Sequence, residues 1–333
     1  MNSITIELNR TLFTVYIGLI ISGYDLTDKN DEEIAGLRNR ILNLDYSGKI
    51  VDYFTFAKSN HNQLNPYWPR GSILAAASFF ISLTKFPRYE TFDDFIQFER
   101  SVTNFSREEL NDDVIGWLRE LPVYIDLLTG NDFFPAMWED YQKVICSRLE
   151  NYNKVLKKAD KTIQDFYMGP QPKKQNIIFS PNLLQSPYIA DFVTIEDTLI
   201  VIKTYPDILS ILHEFLHQEI KPFRNFFSEY TRVHDFYKIA EVSKLLASGY
   251  MWNKSEESFI NMLEESFVRG LSIAMTVKTS KLALKEAYLN SDLNAGFTLV
   301  PEITRNAVNK MPNHNNLRNF ISGTLDSLSI NLK

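Results

Sequence analysis

Cysteine is nearly absent from this chain: Cys146 is the only one in 333 residues. A disulfide framework and a cysteine-rich zinc module are therefore excluded, and any metal must be held by nitrogen and oxygen donors. Cys146 shares a helical pattern with Val144, Ile145 and Leu149. It reads as a buried structural thiol, because no histidine stands near it in sequence to activate it. Histidine is also scarce, at five residues, so any close pair of them is informative. Basic runs are missing. The longest are the pairs Lys157-Lys158 and Lys173-Lys174, and with a net charge of −6 they exclude a nucleic-acid footprint. No apolar run reaches the roughly 20 residues of a stable membrane span. No internal repeat or low-complexity tract is present, which argues against a solenoid. What is plentiful is apolar surface: 44% hydrophobic and 13% aromatic residues supply the core of one large domain or two ordinary ones.

Ile4, Ile6 and Leu8 alternate with Thr5, Glu7 and Asn9 as in a half-buried strand, and the apolar stretch Leu12 to Ser22 follows. That stretch superficially resembles the apolar part of a secretory signal, but a clear small-x-small cleavage site is lacking. A strand leading into a buried helix, in a cytoplasmic protein, is the expectation. Helical patterns broken by turn signals at Asn65–Gly71 and Phe86-Pro87 point to a mostly helical N-terminal region over residues 1–130. From Trp138 to Phe166 apolar residues recur at three- and four-residue steps, the mark of one long amphipathic helix or two in series.

The period changes after Met168–Lys174. Residues 176–180, 189–195 and 198–203 are rich in β-branched and aromatic side chains, with Glu196-Asp197 as a tight turn between the last two. They predict a small sheet, one edge of which an extended peptide could join. Helical patterning returns after Pro222. One helix runs through Tyr230, Val233, Phe236, Tyr237, Ala240 and Leu245. Another runs through Phe259, Met262, Leu263, Phe267, Gly270, Leu271 and Ala274, opened by Ser255 with Glu256 and Glu257 in its first turn. The expected fold class is α+β and mainly helical, the small sheet packing on the helix that follows it.

That helix carries the chemistry. His213-Glu214-Phe215-Leu216-His217 is an H-E-x-x-H pentapeptide within an apolar stretch that begins after Pro206-Asp207, with Asp207 as N-cap, and is limited by Pro222. Residues four apart share one helix face, so both imidazoles can reach one zinc ion at about 2.0–2.1 Å. Glu214, one step round the helix, is displaced from that face yet able to reach water beside the metal, the position of a general base. A catalytic zinc takes three protein ligands and keeps one position open. His61, His234 and His314 are poor candidates for the third. Glu264 and Glu265, on the later helix, are better ones.

The sequence from His213 to Pro222, followed by Glu265-Ser266-Phe267-Val268-Arg269, resembles the gluzincin metallopeptidases. It is most similar to an uncharacterised bacterial family with H-E-F-x-H-x-x-x-x-P and E-x-x-V-R helices. The resemblance is at the level of motifs, from Asn176 to about Met275, with a weaker similarity at the N-terminus. It implies a zincin-like metallopeptidase core over residues 131–333. It also implies that the two histidines and a downstream glutamate bind zinc, while the glutamate of the pentapeptide activates water to cleave a peptide or protein substrate. Two departures stand out. The thermolysin-like pattern has an aspartate four residues after the ligand glutamate, where this chain has Arg269, which leaves the support of the ligands unassigned. On a helical wheel Glu264 lies nearer the apolar side, whereas Glu265 shares a polar stripe with Ser258, Asn261, Arg269 and Ser272. Glu265 is the chosen ligand, on the ground that a cleft is a polar boundary. A second oxyanion donor would come from Tyr230, His234, Tyr237 or Tyr250, which the sequence does not rank. The rival class is a helical binding protein with a structural or vestigial metal site.

Overall fold

The apolar segments divide between one small sheet and a larger set of helices. The computed structural model describes residues 4–58, 71–84, 110–167, 176–195, 198–234, 255–277 and 282–331. The architecture is α+β and mainly helical. Two compact units are present, one formed by residues 1–154 and 174–206 and the other by 155–173 and 207–333. The expected turns at residues 65–70, 86–87, 168–174 and 196–197, and the helix through 236–245, lie outside the described residues. Among the described residues no helix is long and apolar enough to cross a membrane.

The first unit holds the sheet: β1 (Thr5–Ile6), β2 (Asn176–Pro181), β3 (Asp191–Ile195) and β4 (Thr198–Lys203), in the order β1-β2-β4-β3. β1 and β4 flank β2 in parallel, and β3 runs antiparallel to β4 from Asp191 opposite Ile202 to Ile195 opposite Thr198. The two central strands are buried on both faces, which is why they read as unbroken apolar runs, whereas the edge strand β3 alternates. The N-terminal alternation yields only the two residues of β1, because Asn9 caps the next helix, its Oδ1 accepting from the Leu12 amide at 2.8 Å. That helix, α1 (Arg10–Ile21), is buried and packs against α2 (Glu32–Leu42), α3 (Gly48–Thr55), α4 (Gly71–Thr84) and α5 (Asp112–Thr129).

The long helix is continuous, α6 (Phe134–Tyr167). Its first part belongs with the sheet: the Tyr141 and Tyr152 hydroxyls donate to the Pro181 and Thr204 carbonyls at 2.9 and 3.0 Å. Cys146 corrects an expectation, because it is exposed. The buried stripe of α6 runs through Met137, Tyr141, Ile145, Tyr152 and Leu156, and Cys146 lies one residue round from it on the outer face.

The second unit contains the rest of α6 together with α7 (Ile208–Ile220), α8 (Arg224–Val233), α9 (Glu256–Val277), α10 (Leu282–Asn294), α11 (Val300–Asn309) and α12 (Leu317–Asn331). As expected, Asp207 caps α7, accepting from the Ser210 amide at 2.7 Å, and the chain turns at Pro222 through one 3₁₀ turn, Lys221–Phe223. α9 is the hub, packed on α7, α8, α10 and α11. At Gly270 the approach of α11 is so close that an added Cβ would lie 2.6 Å from Cγ2 of Ile303 and 2.9 Å from its Cβ.

Candidate metal centre

Helical periodicity places the donor pair. His213 and His217 are one turn apart on α7, and their Nε2 atoms point to a common place, 3.1 Å from each other. The buried face of the same helix carries Ile211, Leu212, Phe215, Leu216 and Ile220, and Phe215 packs edge-on against Phe166 of α6 at 5.7 Å. The apolar packing thus fixes the rotation of α7 and leaves the two imidazoles at the margin of the core. Opposite them α9 contributes Glu265, whose Oε1 lies 3.6 Å from Nε2 of His213 and whose Oε2 lies 3.3 Å from Nε2 of His217. Ligands held about 2.0–2.1 Å from a tetrahedral zinc stand about 3.3 Å from one another. These donor separations bracket that value, so the three residues fit the ion.

Electrostatics agree with the fit. Burial holds the imidazole of His213 down at a pKa of about 4 and lowers that of His217, which keeps both rings neutral with lone pairs to offer at neutral pH. Burial pushes the Glu265 carboxyl up, but its basic neighbours His213, Arg269 and His217 together outweigh it and keep the group below its ordinary value, and with both rings neutral at neutral pH the standing positive charge beside it is that of Arg269. It is an anion facing two neutral nitrogens, a donor set suited to a divalent cation.

Glu264 goes elsewhere. Its Oε2 accepts from Nη1 of Arg224 at 2.9 Å, and the same guanidinium reaches Oδ1 of Asn261 at 2.7 Å. Of the two adjacent glutamates, Glu265 is therefore the one in the cluster, but not as the polar-boundary argument had it. Glu265 is 6% exposed and Ser258 and Ser272 are buried, while Glu264 is half-buried. Packed by four other helices, α9 keeps Ser258, Glu265 and Ser272 of its polar stripe buried, while Asn261 and Arg269 stay partly exposed.

Glu214 is also buried, at 5% exposure, and is not among the convergent donors. Of the proposed oxyanion donors, Tyr230 gives its hydroxyl to Asp326 at 2.7 Å and His234 stacks on the Tyr230 ring at 4.2 Å. Tyr237 and Tyr250 lie outside the described residues, as does His61. His314 is paired with Glu219, Nδ1 to Oε2 2.7 Å, and takes no part in the donor cluster.

Sequence reasoning missed the surroundings of Glu265. Arg269, one turn along α9, donates from Nε to Oε1 of Glu265 at 2.7 Å and from Nη1 to Oδ1 of Asp292 on α10 at 2.5 Å. Its guanidinium lies over the Phe297 ring, 4.1 Å from the centroid. The one local signal was Gly296. It adopts φ 90°, and with the bonds from Gly296 N to Leu293 O and from Phe297 N to Asp292 O it closes α10 in a Schellman turn. Comparison of the chain with protein-family models, curated proteins and solved structures finds no match.

Proposed function

We propose that this chain is a zinc-dependent hydrolase of the gluzincin type, with a zincin-like core over residues 131–333, that cleaves peptide bonds in a peptide or protein substrate. One observation carries the reading: donors from two helices converge at zinc spacing, while Glu214, the residue after His213 in the chain, is buried and is not one of them. His213, His217 and Glu265 would hold the ion. Zinc, when bound there, would lower the pKa of a water toward about 7 and polarise the scissile carbonyl.

The remaining chemistry falls to the chain. Glu214 takes a proton from water at its carboxylate and delivers it to the departing amine, the role that a carboxylate with no coordinating duty is free to perform. The neutral imidazoles of His213 and His217 keep protons out of the donor set at neutral pH. A binding protein with a purely structural zinc would call for four protein ligands, and among the described residues three donors converge.

Metal loading followed by digestion of a peptide library tests the proposal. The wild-type chain is expected to bind one zinc and to cleave peptides. His213→Ala and His217→Ala should lose tight binding, because two protein ligands leave the ion mostly hydrated, and Glu264→Ala should retain it. A wild-type chain that takes up no first-row metal would overturn the reading.

A further inference from the structure

A guanidinium 2.7 Å from a metal-ligand carboxylate raises a physical difficulty. It is a fixed positive charge competing with a divalent cation for the same group, and it occupies one of the two oxygens. Around Arg269 that difficulty is answered on two sides. Asp292 accepts from Nη1 at 2.5 Å and offsets the charge. The guanidinium carbon lies over the Phe297 ring, 4.1 Å from its centroid, a cation–π contact that helps to hold the charge in place. Both partners are set in place by the Schellman turn at Gly296, which brings the end of α10 back so that Asp292 and Phe297, five residues apart, flank one side chain.

The two carboxylate oxygens of Glu265 are consequently unequal. Oε1 accepts from Arg269 at 2.7 Å and lies 3.6 Å from Nε2 of His213, whereas Oε2 lies closer to the donor pair, 3.3 Å from Nε2 of His217. We propose that Arg269, braced by Asp292 and Phe297, is a positioning residue that retains Oε1 of Glu265 and presents Oε2 alone to the metal. Glu265 then acts as a one-oxygen ligand and leaves coordination space for water and substrate. The thermolysin-like pattern supports a ligand histidine with an aspartate at this position in the helix. Here an arginine supports the ligand carboxylate, and the aspartate stands one step further out. The inference rests on the metal-site reading above.

Cobalt(II) reports it directly, because its visible absorption is strong in low-coordinate sites and weakens as a further oxygen joins. Wild-type protein, Arg269→Gln, Arg269→Lys and Asp292→Asn would each be loaded with cobalt, and zinc affinity measured by competition with a chromogenic chelator. The expected result is strong absorption for wild type. Arg269→Gln should lose intensity as Oε1 is released to the ion, with zinc bound roughly 10–100-fold more weakly, the usual cost of losing a group that orients a ligand. Arg269→Lys, which can still donate to Oε1, should recover part of the intensity. Asp292→Asn leaves the guanidinium uncompensated and should weaken zinc binding even if Arg269→Gln does not fold. Wild-type spectra and affinities in Arg269→Gln and Asp292→Asn would overturn the proposal while leaving the metal site standing. Failure of the wild type itself to bind either metal would instead remove the site on which both readings depend.

Discussion

Glu265 and Asp191 are both buried carboxylates, and their proton affinities move in opposite directions. Glu265 faces a guanidinium and two imidazoles and is held as an anion. Asp191, at the start of β3, meets neutral donors, the hydroxyl of Ser72 and Nε2 of Gln185 at 2.8 Å. Burial therefore dominates and raises its pKa from 3.8 to about 6. A raised folded-state pKa means that the folded chain binds the extra proton. The stability this contributes is fully present below about pH 4 and is lost as pH rises through about 6, a difference of about 3 kcal/mol. Asp191→Asn, uncharged throughout, should accordingly melt higher than wild type at pH 7.5, with the gain vanishing near pH 4. A melting difference independent of pH would show that the charge is not what matters. At this scale the sequence was legible where spacing decides, as for His213 and His217. Choosing Glu265 over Glu264 required knowing what surrounds α9. The wheel found its polar stripe but could not tell which of its residues the neighbouring helices bury.

Among the elements, α7 was the most legible, because its cap, its apolar face and its terminating proline are all local signals. The central strands were legible as apolar runs, and α6 as a long periodic pattern, although nothing in its sequence marks that its first half bonds to the last carbonyl of β2 and the first after β4. The helix carrying Asp292 was not read. Ala287, Tyr288, Leu289 and Leu293 are spread round its axis, which leaves no clean face to recognise. The fit between α9 and α11 was equally hidden, because only the partner shows why position 270 is glycine. An alanine there would gain up to about 1 kcal/mol of helix propensity. It would also force apart Ile303, whose Cβ is no flexible tip, and approach the Thr304 amide nitrogen to 3.3 Å. Overpacking of this kind costs roughly 1–3 kcal/mol. Gly270→Ala should therefore lower the urea midpoint without changing the slope of the transition. A raised midpoint would mean that the two helices can separate freely.

For the whole molecule, the fold class follows from the balance of helical and alternating patterns, and the single small sheet was expected from residues 176–203. How the chain divides was less accessible. A reading of 1–130 and 131–333 begins the second region with the long helix, whereas the contacts group that helix through Lys154 with the sheet, since Tyr141 and Tyr152 are anchored there. The proposed hydrolysis turns on a separation of duties within one helix turn, where His213 and His217 would hold the ion and Glu214 would move the proton. The most direct measurement is the rate of peptide cleavage by zinc-loaded Glu214→Gln, with its zinc content determined on the same sample. Because the substitution keeps size and hydrogen bonding while removing the base, zinc content should match wild type and cleavage should fall by roughly 10²–10⁴-fold. Wild-type turnover by the fully loaded variant would contradict the account.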